Sequence, residues 1–207
     1  DMTRAKFMSS GGRPADIILG LPGRDREIEA FQNLIKTCAQ VGIPAVKYNL
    51  ALMPILRSAL VPGRSDTQNH RWRISDMKGS PLMTAWTGGE EQTVKDHSPG
   101  NTVEAFTKLV GHPTADEIWE RITYFLDRVV PVATEYKIKM ALHPEDPGVP
   151  PEGYHGVVRV LGTIHGLQRF VGIQDSPYHG LAFCQGTISE DLEDPGHQIY
   201  DVIRWFC

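Results

Sequence analysis

The sequence predicts an α/β fold in which parallel strands alternate with outer helices. Short hydrophobic runs flanked by turn residues alternate with apolar stripes at helical spacing. No G-x-G-x-x-G string, which would indicate a dinucleotide-binding domain, occurs in the 207 residues. Three convincing strands are few for this length, and a helix ends the chain where another strand is expected. Residues 1–207 therefore predict a single incomplete domain, part of a (β/α)8 barrel.

The first helix is predicted over residues 26–40. Its apolar residues fall on one stripe at helical spacing: Ile28, Phe31, Leu34, Ile35 and Cys38. We expect Asp25 to cap the helix, and Gly42 followed by Pro44 to end it. The hydrophobic run at residues 45–50 then predicts the first strand.

Residues 51–113 show no sustained hydrophobic period and are rich in Gly, Pro, Ser, Thr and Asn. A loop this long inside a compact domain is either functional or disordered, and both alternatives stay open. We predict a long active-site loop. Guanidinium groups bind carboxylates through paired hydrogen bonds, so Arg64 and its neighbours are candidate ligands of an anionic substrate, with solvated loop charges as the alternative. The arginines of this segment are Arg57, Arg64, Arg71 and Arg73.

The second half of the chain returns to regular helix and strand patterns. Thr114 and Glu117 form an S/T-x-x-E capping box, which predicts the start of a helix. The apolar stripe that follows consists of Ile118, Ile122, Phe125, Leu126 and Val129. The remaining predicted elements are strands at 138–143 and 181–184, a helix at 163–171, and a last helix that opens at Asp194-Pro195.

Composition excludes several classes of protein. The net charge of −4 does not provide the basic surface of a dedicated nucleic-acid binder. No apolar run approaches the roughly 20 residues that a membrane span needs, and no secretory signal is visible. Three widely spaced cysteines do not make a disulfide framework. We therefore expect a cytoplasmic protein without nucleic-acid or membrane partners.

Residues with ligand or donor chemistry stand at the end of each predicted strand: Asn49, His143 and Cys184. The carboxyl ends of barrel strands share one face, which holds the active site. A neutral imidazole and a thiolate there form half of a transition-metal site. The alternatives are a hydrogen-bonded histidine at a loop edge and a small buried cysteine. The two carboxylates shortly after His143, Glu145 and Asp146, are candidates to hold a metal ligand in place or to contact a sugar hydroxyl, or else turn residues.

Several strings resemble mannonate dehydratase, and the similarity runs in family order from about residue 16 to residue 206. The strings are Leu19-Gly20-Leu21-Pro22-Gly23-Arg24-Asp25, Lys47-Tyr48-Asn49, Trp119-Glu120-Arg121-Ile122-Thr123-Tyr124-Phe125-Leu126, Met140-Ala141-Leu142-His143-Pro144-Glu145-Asp146-Pro147 and Gly180-Leu181-Ala182-Phe183-Cys184-Gln185-Gly186-Thr187. The resemblance implies a TIM barrel of the xylose-isomerase-like kind. It also implies a metal-dependent lyase, with manganese or iron, that dehydrates D-mannonate to 2-keto-3-deoxy-D-gluconate in hexuronate (glucuronate) catabolism.

The same resemblance implies roles for individual residues. It makes His143 and Cys184 metal ligands, and it places Tyr48 and Asn49 in the substrate pocket. Removing a proton beside a carboxylate needs a Lewis acid, a base and an acid for the leaving hydroxyl. We expect the catalytic residues downstream of Cys207, so they are unknown here and the 207-residue chain alone is expected to be inactive. The full-length protein is expected to be a homo-oligomer that acts on a small sugar acid.

Two other functions remain open. A sugar isomerase or epimerase of the same barrel superfamily would share a metal-bearing face, although such relatives usually carry carboxylates where Cys184 stands. A non-catalytic barrel module would keep the motifs without the chemistry. Metal content separates this module from both kinds of enzyme.

Overall fold

The computed structural model describes residues 15–53, 55–57, 59–71, 73, 82–87, 90–93, 111–149, 153–154 and 156–207. Its helices are α1 (Asp16–Leu19), α2 (Arg24–Gln40), α3 (Ala115–Tyr136), α4 (Ile164–Val171), α5 (Gln185–Ser189) and α6 (Pro195–Phe206). Its strands are β1 (Ala45–Tyr48), β2 (Ile55–Arg57), β3 (Ala59–Pro62), β4 (Gln68–Arg71), β5 (Leu82–Thr87), β6 (Glu90–Thr93), β7 (Lys139–Leu142) and β8 (His179–Leu181).

The three predicted strands form one parallel sheet in the order β1–β7–β8. Val46 of β1 pairs with Met140 of β7, which in turn pairs with His179 of β8. The chain passes through α3 between β1 and β7, and through α4 between β7 and β8. Parallel neighbours joined through helices are the repeating unit of a barrel. The predicted α/β class and the parallel order are confirmed.

The third strand lies earlier in the chain than predicted, at His179–Leu181 instead of residues 181–184. The residue types of Ser176-Pro177-Tyr178-His179-Gly180 are typical of a turn, so the strand was expected to begin only after Gly180. The turn instead closes where the N–H of His179 donates to the carbonyl oxygen of Ser176 at 3.1 Å. Gly180 then pairs with Ala141 through main-chain groups, which carry no side-chain signature.

The core lies between the parallel sheet and helices α2 and α3. Strand side chains alternate between two faces, and one face of β1 and β7 is buried at Val46, Tyr48, Met140 and Leu142. The ring of Phe31 on α2 stands edge-on to Tyr48 and to Phe125 on α3, with centroid distances of 5.6 and 5.3 Å. Four residues of the predicted α2 stripe are buried here, namely Ile28, Phe31, Ile35 and Cys38.

Helix α2 begins at Arg24, two residues before the predicted start, with Gly23 at the N-cap position. The prediction that Asp25 caps this helix is therefore wrong. Asp25 lies in the first turn, where its carboxylate accepts a hydrogen bond from the Tyr124 hydroxyl at 2.6 Å. An acidic residue there also suits the positive end of the helix dipole.

Helix α3 begins with the predicted capping box. The Thr114 hydroxyl oxygen accepts from the Glu117 N–H at 3.2 Å, and the Glu117 carboxylate accepts from the Thr114 N–H at 2.7 Å. The hydrogen bonds that the carboxylate accepts from the Thr114 N–H and from the Thr114 hydroxyl, the latter at 2.9 Å, lower the pKa of the Glu117 carboxyl. Helix α6 begins at Pro195 as predicted, because proline has no N–H to leave unpaired in a first turn.

Residues 51–113 contain short antiparallel strands that the sequence did not predict. β5 pairs with β2 and β6, and β3 pairs with β4 across a turn in which Ser65 and Asp66 adopt φ angles of 53° and 60°. Strands such as Gln68–Arg71 and Glu90–Thr93 are polar throughout, so they lack the hydrophobic run that predicted β1 and β7. That the segment covers an active site stays a prediction.

The described residues meet neither the requirements of a membrane-spanning helix nor those of a disulfide bond. None of their helices combines the length and apolarity that crossing a membrane requires. All three cysteines lie in the described ranges and are free thiols, so they form no disulfide. Cys38 is buried in the core, Cys184 is half-buried and Cys207 is exposed.

Candidate functional site

The pairing of the parallel strands continues one residue beyond their carboxyl ends. The N–H of His143 donates to the main-chain carbonyl oxygen of Tyr48 at 2.8 Å. The N–H of Ala182 donates to the main-chain carbonyl oxygen of Leu142 at 2.7 Å. Because Tyr48 pairs with Leu142, the next residues along, Asn49 and His143, are neighbours on the same face of the sheet. That face is opposite to the one that packs against α2 and α3.

The His143 ring is half-buried, and its Nδ1 atom lies 2.7 Å from the carbonyl oxygen of Pro144. A carbonyl oxygen only accepts hydrogen bonds, so this contact favours a proton on Nδ1, which in the neutral ring leaves the lone pair on Nε2. Metal-binding histidines commonly donate their second ring N–H to such an acceptor. The local geometry therefore fits the predicted ligand role.

Cys184 lies three residues after β8, at the N-cap position of α5. The sequence placed it directly at a strand end, and the earlier end of β8 corrects this. The preceding Phe183 ring packs near Phe206 of α6, with centroids 6.0 Å apart. Ala182, which follows the Leu142–Leu181 pair, lies on the face that carries His143. The Cys184 backbone is extended, and continued alternation predicts that Cys184 faces the same way.

The sulfur of Cys184 accepts a hydrogen bond from the Thr187 hydroxyl at 3.2 Å. A hydroxyl donor suits a thiolate, the form in which cysteine binds metals. An imidazole and a thiol are among the donor types that transition metals prefer. No group of three or more His, Cys, Asp or Glu residues able to hold a metal occurs within the described ranges. The described residues thus supply a two-donor set that fits a divalent metal without completing its coordination.

Tyr48 and Asn49, predicted together as pocket residues, are separated by the structure. Asn49 is exposed, whereas Tyr48 is 3% exposed and its ring also packs near Phe125, at 5.7 Å between centroids. Burial raises the pKa of the Tyr48 hydroxyl well above its ordinary value. Alternation along β1 allows only one of two consecutive residues to face the site. The structure brings Asn49, and not Tyr48, to the face of His143.

The loop after His143 contains a buried ion pair that the sequence analysis missed. Arg159 Nε lies 3.7 Å from Glu145 Oε1. Burial raises the pKa of the Glu145 carboxyl, against the opposing effects of the Arg159 charge and the Leu161 N–H. Asp146 is half-buried, and its carbonyl oxygen accepts from Arg159 Nη2 at 3.1 Å. One feature of the sequence pointed to Arg159 as a partner for these carboxylates: it is the single Lys or Arg between residues 140 and 168.

Arg64 lies in the turn between β3 and β4, which form a sheet separate from the parallel sheet that precedes His143 and Cys184. It begins the short 3-10 turn Arg64–Asp66 between β3 and β4, and it is exposed. Its carbonyl oxygen accepts from the Thr67 hydroxyl at 2.7 Å, which stabilises the turn. Its predicted contact with an anionic substrate stays a prediction.

The sequence and the fold of this chain are similar to those of known proteins. Mannonate dehydratase of Shouchella clausii (strain KSM-K16) is 31% identical over 200 residues, covering 92% of this chain and 54% of that protein. Mannonate dehydratase of Thermotoga maritima is 31% identical over 201 residues, with the same two coverages. The chain thus spans about half the length of the curated relatives it matches.

The crystal structure of mannonate dehydratase from Streptococcus suis serotype2 matches with a TM-score of 0.69 at 25% identity, covering 92% of this chain and 49% of that chain. This likeness confirms the predicted partial TIM-barrel fold. A family model described as D-mannonate dehydratase (UxuA) matches residues 5–207. A match over nearly every residue, on the same fold, shows that the chain belongs to the D-mannonate dehydratase family.

Proposed function

We propose that the protein containing this chain dehydrates D-mannonate to 2-keto-3-deoxy-D-gluconate. The observation that carries the proposal is the family match over residues 5–207. The presence of an imidazole, His143, and a thiol, Cys184, after two neighbouring parallel strands supports it, because this reaction needs a held Lewis acid. The reaction belongs to hexuronate (glucuronate) catabolism, and we place the enzyme in the cytoplasm as a homo-oligomer.

His143 and Cys184 would hold the divalent metal, Mn²⁺ or Fe²⁺, through an imidazole nitrogen and a thiolate sulfur. When bound, such a metal stabilises the negative charge that develops on the substrate as the proton beside its carboxylate leaves. Asn49, on the same face as His143, is suited to bind a substrate hydroxyl through its amide. Arg64 and Asp146 stay predicted substrate contacts. The groups that move protons stay predicted downstream of Cys207.

The test incubates metal-depleted protein with D-mannonate, with and without added Mn²⁺ or Fe²⁺, and measures 2-keto-3-deoxy-D-gluconate. We expect metal-dependent product from the full-length protein and none from residues 1–207 alone. Cys184→Ala should lower metal content and activity together, whereas Cys207→Ala should lower neither. An isomerised or epimerised sugar acid as the only product would contradict the proposal and favour the isomerase alternative.

A further inference from the structure

A buried ion pair follows His143 directly, in the loop after β7. The side chains of Glu145 and Arg159 are 4% and 1% exposed. Burying two charges costs free energy that an apolar pair of similar volume avoids, so stability is a weak explanation for such a pair. What the two side chains hold in place is therefore informative.

The pair fixes the peptide unit between Pro144 and Glu145. The Glu145 N–H donates to the Leu161 carbonyl oxygen at 3.1 Å, and Glu145 Oε2 accepts from the Leu161 N–H at 3.0 Å. Arg159 holds the next residue, because its Nη2 donates to the Asp146 oxygen at 3.1 Å. A peptide unit is planar, so a fixed Glu145 N–H also fixes the direction of the Pro144 carbonyl.

Two glycines allow the two sides of this loop to approach each other. A Cβ atom on Gly148 would lie 2.7 Å from the carbonyl oxygen of Gly162, a distance that real side chains do not tolerate. Gly148 and Gly162 follow Glu145 and Leu161 closely in the chain. The backbone is thus adapted to the close contact that the ion pair maintains.

The Pro144 carbonyl oxygen is the atom that lies 2.7 Å from His143 Nδ1. The orientation of the His143 ring, and the nitrogen that carries its proton, therefore depend on the peptide unit that Glu145 holds. We propose that the buried Glu145–Arg159 pair positions His143, with Arg159 acting through Glu145 and the Pro144 carbonyl. This inference rests on the proposed function, in which His143 is a metal ligand.

The test observes the imidazole ring directly by ¹⁵N NMR, with His143→Gln to assign its signal, and by titration with Co²⁺. We expect neutral His143 to carry its proton on Nδ1. Arg159→Met should populate the other tautomer and weaken Co²⁺ binding about 10–100-fold, the usual effect of losing a partner of a metal ligand. Arg159→Lys should restore part of the Nδ1-protonated population and part of the Co²⁺ affinity. The control Arg204→Met, which removes an exposed ion pair with Asp201, should change neither.

Each outcome bears on the proposal. A folded Arg159→Met protein with an unchanged His143 tautomer and unchanged Co²⁺ affinity overturns it. Should that variant fail to fold because the Glu145 charge is left uncompensated, Glu145→Gln/Arg159→Met, which removes both charges, is measured against the same criteria. A wild-type chain that binds no Co²⁺, with a tautomer that still shifts in Arg159→Met, supports the positioning role and contradicts the metal-ligand role in the proposed function.

Discussion

The N–H of His143 donates to the main-chain oxygen of Tyr48 at 2.8 Å, one residue beyond the paired part of β1 and β7. This bond sets the register at the end of the sheet. Because side chains alternate along a strand, the Tyr48 ring is directed into the core while Asn49 shares the face of His143. Two consecutive residues of one string thus serve packing and the candidate site separately.

Tyr48→Phe should raise the free energy of unfolding by about 1 kcal/mol. The Tyr48 hydroxyl is buried and has no hydrogen-bond partner among the described residues, and an unsatisfied buried polar group costs about 1–3 kcal/mol. Urea unfolding measures the change, and Tyr200→Phe at an exposed position should stay within about 0.5 kcal/mol of wild type. A clear loss of stability in Tyr48→Phe would show that the hydroxyl has a partner after all.

Thr114→Ala should lower the free energy of unfolding by about 0.5–2 kcal/mol, the usual cost of removing a side-chain cap. The Thr114 hydroxyl is the acceptor for the Glu117 N–H, which has no partner within α3. Thermal or urea unfolding measures the loss. Thr114→Ser keeps the hydroxyl and should retain most of the stability, so equal losses in both variants would contradict the capping explanation.

The stability of the fold should fall as the pH drops below about 6.5, the ordinary histidine value, partly because of His179. Burial lowers the pKa of this ring, against the effect of its hydrogen bond to the Phe170 oxygen at 2.9 Å. Between that pH and the lower pKa of the folded state, His179 binds a proton in the unfolded chain but not in the folded chain. Lowering the pH through this range therefore favours unfolding. The slope for this proton is at most about 1.4 kcal/mol per pH unit.

The pH effect is measured by urea unfolding at a series of pH values. His179→Gln should flatten the slope below pH 6.5, by removing the group that titrates differently in the two states. His165→Gln, at an exposed position on α4, is the matched control for the removal of a histidine as such. A slope that persists unchanged in His179→Gln would assign the effect to other groups.

Local signals in the sequence predicted most of the fold. The α2 stripe and the Thr114–Glu117 capping box depend on neighbours three or four residues apart, so a single chain is enough to recognise them. The start of β8 was misplaced because Gly180 pairs through its main chain alone. Strands of residues 51–113 such as Gln68–Arg71 are polar throughout and show no hydrophobic run.

The candidate site was predictable only in part. The strand ends identified Asn49 and His143 because the carboxyl ends of parallel strands share a face. Tyr48 was assigned with its neighbour by resemblance, although alternation separates the two. Arg159 was missed because its partner Glu145 lies 14 residues earlier, across a loop with no periodic pattern to bring the two together.

The most direct test of the account is whether His143 and Cys184 bind one metal ion. Co²⁺ added to the metal-depleted chain should produce a thiolate-to-metal charge-transfer absorption in the near ultraviolet, since a coordinating thiol loses its proton. We predict that Cys184→Ala abolishes this band, that His143→Ala weakens Co²⁺ binding, and that Cys207→Ala changes neither. A band that survives in Cys184→Ala, or a wild-type chain that shows none, would contradict the metal site and the role assigned to these strand ends.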